Sequence, residues 1–413
     1  VTDHPHPFAA AAASVDITPD ESLPLAGYGD RHGPYDQVAD RLEANVLLLR
    51  LDDAFVTFIS CDLLFVGQVL RQRLEALLPG IPSERLFISA THTHFAPATV
   101  AAMPELGRAS LEYIEKVAQE ISAAVQALLQ LVLPAATVKL RQGQSHAGIH
   151  RRLPVVRWRL GWPPRRAKWE MRPNEDVAID TRLRILSITD TNDRLLAICW
   201  SYACHPVCYP DKTHLSADFP GVVRQAIRER FGDVPVLFWQ GFAGDIRPRA
   251  IVASDPPSFG PFTATQWHEW SNGLAENVLA AIEMPGQAVA GRIAAVRRQI
   301  PLPELGLNGG DRSISIHEVR LGDSLELFGI AAEPVNAYAA KLEAARGETT
   351  VVGVGYIDDV PCYLPTDEML AQGGYEVTGF RRLFGVSGRF RRGIEARIVR
   401  EFERRPLRAS PRD

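Results

Sequence analysis

Two histidines spaced two residues apart, in the run Thr91-His92-Thr93-His94, are the first feature of the chain that could do chemistry. Imidazole both ligates transition metals and carries protons near neutral pH. A third histidine stands in Cys204-His205-Pro206, and a carboxylate in Ala332-Glu333-Pro334. Two imidazoles and a carboxylate form a donor set that catalytic zinc commonly uses, with one position left for water. Zinc lowers the pKa of that water to near 7, so hydroxide becomes the nucleophile at neutral pH. Spacing alone does not prove such a site, because a single histidine after a strand is commonly a hydrogen-bonded structural residue.

The elements that must hold these residues make the pattern sharper. Residues 44–51 and 54–62 read as two β-rich runs joined at Asp52-Asp53. A helix fits 67–78, and a short buried strand fits Arg85–Ala90, directly before the histidine pair. Leu111, Ile114, Val117, Ile121, Val125 and Leu128 form one stripe of a helix over 109–131. Strands fit 182–188, 195–203, 234–239, 324–332 and 350–356. Pro220 after Asp218 opens a helix to 231, and Pro334 opens another that stops near Gly347. A last, arginine-rich helix covers about 389–404, where Glu395, Glu401 and Glu403 interleave with the arginines; this predicts a solvated helix with i,i+4 pairs rather than a membrane-surface helix. His92, His205 and Glu333 thus each fall just past a strand end, and sheets with parallel strands build ligand sites beyond the carboxyl ends of their strands. The expected class is α/β, with mixed β-sheets flanked by helices and a metal site beyond those ends. The Arg/Trp/Pro-rich stretch 151–173 reads as a long loop or flap in an otherwise single domain spanning 1–413.

Composition sets the outer bounds. The 413 residues are 46% hydrophobic and 23% charged, with a net charge of −4, which suits a globular protein. The basic domain that would announce a nucleic-acid partner is absent. No window approaches the roughly 18 consecutive apolar residues of a transmembrane helix. Five sparse cysteines make no disulfide framework, and Cys204 and Cys208 read as small buried apolar residues. The first residue is Val1, which is compatible with a removed signal peptide, so the expected compartment is open between cytoplasm and secretion. A homo-oligomer is compatible with the sequence.

Further short motifs occur in order: Ile17-Thr18-Pro19, Gly27-Tyr28, Arg41-Leu42-Glu43-Ala44, Ala217-Asp218-Phe219-Pro220-Gly221 and Gly241-Phe242-Ala243-Gly244-Asp245-Ile246. Together with the two histidine motifs, they make the chain resemble the catalytic domain of the neutral/alkaline non-lysosomal ceramidase family, from about residue 14 to about residue 405. The resemblance implies one zinc ion held by His92, His205, Glu333 and Tyr363. Tyr363 is placed by the succession Tyr363, Thr366-Asp367-Glu368, Tyr375-Glu376. It also implies His94 as proton carrier, Arg151 at the substrate carbonyl with Arg152 as the neighbouring alternative, Gly27 as a backbone lining of the pocket, and Tyr375 near the reaction.

Two departures matter. The family has Gly-Asp-Val-Ser-Pro where this chain has Gly244-Asp245-Ile246-Arg247-Pro248, and a guanidinium is no nucleophile. Arg247 could stabilise an oxyanion, clamp a substrate carboxylate or phosphate, or form a structural salt bridge with Asp218 or Asp245. The chain also ends at 413, where the catalytic domain of the family ends, so a short member without the C-terminal immunoglobulin-like domain is expected. The implied activity is a zinc-dependent amidohydrolase acting on an N-acyl linkage of a small or lipid-like substrate through zinc-activated water. A zinc-dependent esterase or lactonase, and a non-catalytic descendant that only binds, are the alternatives.

Overall fold

Apolar residues occupy both faces of the strand Glu43–Leu51: Val46 and Leu48 on one, Leu47 and Leu49 on the other. Such a strand must be covered twice. The computed structural model, which describes residues 8–31, 33–156 and 167–404, places it inside a nine-stranded mixed sheet. It pairs antiparallel with Ala54–Cys61 across the turn at Asp52, whose φ of 52° suits an aspartate in a tight hairpin. Along the sheet the strands run Val236–Gln240, Leu195–Tyr202, Arg182–Asp190, Ala135–Gln144, Phe8–Asp16, Glu43–Leu51, Ala54–Cys61 and Leu86–Ala90, with Gln287–Val289 pairing beside Ala135–Gln144.

One face of this sheet is covered by helices. Gln68–Leu77 and Leu111–Leu129 bury Val46, Leu48 and Ile59, while Phe219–Phe231 and Ala264–Glu283 bury Ile185, Ile198 and Phe238. The other face carries Leu47, Leu49, Phe58 and Trp239, which share a core with Ile316, Leu327 and Phe328 of a four-stranded sheet. That second sheet is Ile293–Pro301, Ser313–Leu321, Leu325–Ile330 and Thr350–Val354. Helices Ala337–Arg346 and Ile394–Glu403 pack beside it, with Phe402 set edge-on against Phe328. The arginine-rich last helix buries Ile394, Ile398 and Phe402, and its Arg397 pairs with Glu401 one turn on at 2.6 Å. Arg397 also pairs with Glu304, and Glu395 with Lys341, so part of the helix's charge is met by neighbouring elements.

Three strand pairs position the site. Ala54–Cys61 runs parallel to Leu86–Ala90, Leu195–Tyr202 to Val236–Gln240, and Leu325–Ile330 to Thr350–Val354. Each pair sends its chain out past a carboxyl end shortly before His92, His205 or Glu333.

One expectation changes. The stretch read as a loop over 151–173 contributes to two antiparallel strands, Gly148–Val155 and Lys168–Asn174, and the first also pairs with Ile246–Pro248. The intervening 157–166 lie outside the described residues. Alternating Arg and apolar residues suit a half-buried strand as well as a loop, and pairing on both sides decides for strand. All five cysteines are free and buried. Among the described residues, no helix is long and apolar enough to cross a membrane.

Candidate metal and catalytic site

His92 is reached by a backbone that few residues adopt. Its φ is 66°, a left-handed conformation in which histidine is tolerated better than most side chains. Its amide donates to Leu63 O at 2.9 Å, which holds the turn, and its ring lies 1% exposed beneath the strand end. The three histidines then share one device. Nδ1 of His92 is 3.0 Å from Leu64 O, Nδ1 of His94 is 3.1 Å from Gly27 O, and Nδ1 of His205 is 3.0 Å from Ile246 O. A carbonyl can only accept, so each Nδ1 carries the hydrogen and each Nε2 keeps its lone pair. Those Nε2 atoms converge: 3.3 Å separates His92 from His94, and the candidate ligand atoms of all three lie within 4.8 Å of one another.

Glu333 joins them. Its Oε2 lies 3.1 Å from His205 Nε2 and 3.6 Å from His92 Nε2. Glu333 and Tyr363 are register partners in a short parallel pairing of Glu333–Pro334 with Tyr363–Leu364, so the carboxylate and the phenol arrive side by side. Burial lowers the pKa of His92 to about 3 and pushes those of His94 and His205 well below the usual imidazole range, which favours the neutral, ligating form. Burial also raises Glu333 and Tyr363, the latter against the opposing charge of Arg151. The three imidazoles could hold a metal ion at this point, and the chain supplies only peripheral donors there: Arg151 Nη1 3.5 Å from His205 Nε2 and the Tyr356 hydroxyl 3.4 Å from Glu333 Oε2. Nitrogen and oxygen donors with ordered outer partners suit a divalent transition metal such as zinc.

Around this cluster the arginines divide. Arg151 donates from Nε to Glu376 Oε1 at 2.9 Å and from Nη2 to the Tyr363 hydroxyl at 3.3 Å, and its guanidinium lies 5.6 Å from the ring centres of both Tyr363 and Tyr375. The Tyr363 and Tyr375 rings meet edge-on at 5.5 Å. Arg152 turns instead to the 372–376 segment, donating to Glu376 Oε2 at 2.5 Å, Gln372 Oε1 at 3.1 Å and Gly373 O at 2.9 Å. Gly27 lies so close to His94 that a Cβ there would sit 2.4 Å from Nδ1, at a φ of 105°.

The salt bridge considered for Arg247 does not form. Both oxygens of Asp218 are taken, Oδ1 by Phe219 N and Trp267 Nε1 and Oδ2 by Cys208 N and Tyr209 N. Asp245 is held by His150 Nε2 at 3.1 Å and Asn336 N at 2.7 Å. Each acid is committed to backbone shaping, so neither is free to meet a guanidinium.

Three contributors were given no role by the motif reading. Tyr356 stacks on His92 with ring centres 4.1 Å apart and points its hydroxyl at Glu333 Oε2, 3.4 Å away. It follows the strand Thr350–Val354, so the strand-end rule that found Glu333 applies to it equally. Glu376 braces two arginines, and Arg31 donates from both Nη atoms to His94 O at 2.9 Å. No sequence signal marks Arg31, because its acceptors are main-chain carbonyls. An apolar recess lined by Leu64, Phe65, Met103 and Leu106 lies beside His92, whose ring is 5.3 Å from that of Phe65.

Comparison of the sequence with family models and with curated proteins finds no match. Solved structures do match in shape. Neutral ceramidase from Pseudomonas aeruginosa superposes with a TM-score of 0.77 at 17% identity, over 99% of this chain and 76% of that one. A ceramidase complexed with C2 gives 0.76 at 16% identity, over 96% and 74%. Residues placed so similarly at such low identity share an architecture, and this chain has a neutral ceramidase-like α/β fold.

Proposed function

We propose that the chain is a zinc-dependent hydrolase that cleaves the C–N bond of an N-acyl compound. One observation carries this: three imidazoles, each fixed by a carbonyl at Nδ1, aim Nε2 at one buried point beside Glu333. The ceramidase-like fold supports the amide as the bond attacked, since the proteins of similar shape are ceramidases.

His92, His205, Glu333 and Tyr363 hold the ion in this reading. When bound by these residues, zinc would supply Lewis acidity to a carbonyl and lower the pKa of water toward neutrality. His94 accepts and returns a proton at Nε2 while Gly27 O keeps Nδ1–H in place. Arg151 donates to the carbonyl oxygen as negative charge develops on it, and Glu376 keeps the guanidinium in position. Arg152 acts as a positioning residue for the 372–376 turn, not as a substrate contact. Tyr375 completes the aromatic wall against which Arg151 lies.

Elemental analysis of purified protein and turnover of a panel of N-acyl amides with matched esters provide the test. One equivalent of zinc, with amide cleavage that is lost to a chelator and regained with zinc, is expected. Protein that takes up no metal and cleaves no amide refutes the proposal, and faster cleavage of the matched ester moves it to an esterase.

A further inference from the structure

Four arginines stand near the histidine cluster, and among the described residues three of them have oxygen acceptors, whereas Arg247 meets only the sulfurs of Met171 and Cys208. Arg151 and Arg152 share Glu376, and Arg31 grips the carbonyls of Ala26 and His94. Arg247 forms no ion pair among the described residues. Its Nε is buried without a hydrogen-bond partner. Its Nη1 lies 3.8 Å from Met171 Sδ, and its guanidinium carbon lies 4.8 Å from the centre of the Phe259 ring.

Its position relates it directly to the site. Ile246, one residue earlier, is fully buried and accepts from the His205 ring. Alternation along the strand Ile246–Pro248 therefore turns Arg247 to the opposite side, where it is half-buried. The thioether and aromatic ring flank the guanidinium on a side that stays open to solvent, so an incoming anion can reach it. A guanidinium offers parallel N–H donors that match a carboxylate or phosphate.

We infer that the substrate carries an anionic oxygen group beside the scissile bond, and that Arg247 binds it in a forked contact. This rests on the hydrolase reading above and narrows it. The chemical class is an N-acyl compound with a carboxylate or a phosphate on its amine half, as in an N-acyl amino acid, rather than a neutral ceramide-like amide.

Three substrates of one chain length test it: N-lauroylglycine, N-lauroylethanolamine phosphate and neutral N-lauroylethanolamine. Turnover is measured on zinc-loaded protein, and equilibrium binding by calorimetry on the His92→Ala protein, which removes the metal's own attraction for anions. In wild type, an anionic compound is expected to exceed the neutral one in kcat/KM by on the order of tenfold or more. The ratio of the two anionic compounds identifies the group. Arg247→Met brings the anionic-to-neutral ratio near unity in both assays, and Arg247→Lys keeps part of it. Equal turnover of charged and neutral amides, or a preference that survives Arg247→Met, overturns the inference and leaves the hydrolase reading standing. Binding preference that depends on Arg247, with no turnover of any amide, supports the anion site and refutes the hydrolase.

Discussion

Two buried polar clusters lie close together behind the strand ends and differ in how their charges are met. In the first, Asp358 is 1% exposed and sits between two arginines: Arg71 Nη1 donates to Oδ1 at 2.8 Å, and Arg297 Nε donates to Oδ2 at 2.9 Å. Arg71 also reaches Leu86 O, Ser83 O and Glu75 Oε1, each within 2.9 Å. Burial would raise the Asp358 carboxyl, yet the two guanidinium groups outweigh it and hold the pKa below the usual carboxylate value. This cluster is complete in itself. In the second, His92, His94, His205 and Glu333 face one another with acceptor atoms, and their hydrogens point outward to main-chain carbonyls. The first cluster pairs each charge with short hydrogen bonds, whereas the converging lone pairs of the second meet only long donors, Tyr356 at Glu333 and Arg151 at His205, and could hold a metal ion.

The sharpest way to break this contrast is to remove one residue from each cluster. His92→Ala is expected to abolish stoichiometric zinc binding and to lower amide turnover by on the order of a thousandfold or more. The unfolding midpoint of its metal-free form should stay near that of metal-free wild type. Zinc retained at one equivalent in this variant would contradict the ligand assignment. Asp358→Ala should do the opposite, costing about 3 kcal/mol of stability by removing the buried carboxylate that Arg71 and Arg297 share. Denaturant titration reads that loss, and zinc per folded molecule should not change. A variant that lost zinc and kept its stability would show that the two clusters are not separable.

The elements carrying both clusters were readable in the sequence where one periodicity dominated. Helix Leu111–Leu129 follows its apolar stripe, and strands Leu86–Ala90, Leu195–Tyr202 and Leu325–Ile330 follow continuous apolar runs with turn signals at their ends. That sufficed to bring His92, His205 and Glu333 to one side of the molecule. Phe8–Asp16 was hidden by five successive alanines, which prefer helix; pairing with Glu43–Leu51 along its whole length overrides that preference. Helix Ala264–Glu283 carried a legible signal, since Thr263 and Gln266 form a reciprocal capping box, but a Gly at 273 and two tryptophans obscure its stripe. Within the site, the imidazoles were legible because histidine is scarce, 11 in the chain, and the carboxylate because Glu333 follows a strand end. The carbonyls that fix their tautomers were not, since any residue offers one.

A finer question is whether His94 belongs with the metal ligands or beside them. Gly27→Ala addresses it, because the added carbon would meet His94 Nδ1 at 2.4 Å and strain a φ of 105°. The ring must then tilt away from the cluster. If His94 is a proton carrier, turnover should fall about 10- to 100-fold with zinc content unchanged. The pH profile should also lose the limb that reports a base. Zinc falling in parallel with activity would instead make His94 a ligand and extend the ligand set by one residue.

The self-satisfied kind of cluster has its own gradation, and the smallest effect expected tests it. Glu326 is 2% side-chain exposed on the second sheet, with Arg346 Nη2 3.0 Å from Oε1, but Arg346 is shared with Glu318 Oε2 at 3.4 Å. Burial raises the Glu326 pKa to about 7, the charge of Arg346 only partly opposes this, and Glu318 adds to it. The folded value therefore lies above the ordinary 4.5 of an unfolded chain. A raised carboxyl favours the folded state while protonated, so its contribution is fully present below about 4.5 and is lost as pH rises through about 7. Glu326→Gln keeps the neutral shape at every pH. Relative to this variant, wild type should lose about 1–2 kcal/mol of stability between pH 5 and pH 8. Urea unfolding at both pH values measures the difference, which a constant offset from the lost ion pair does not affect. A pH-independent difference would mean that Arg346 holds Glu326 ionised throughout, and that this cluster is as complete as the one around Asp358.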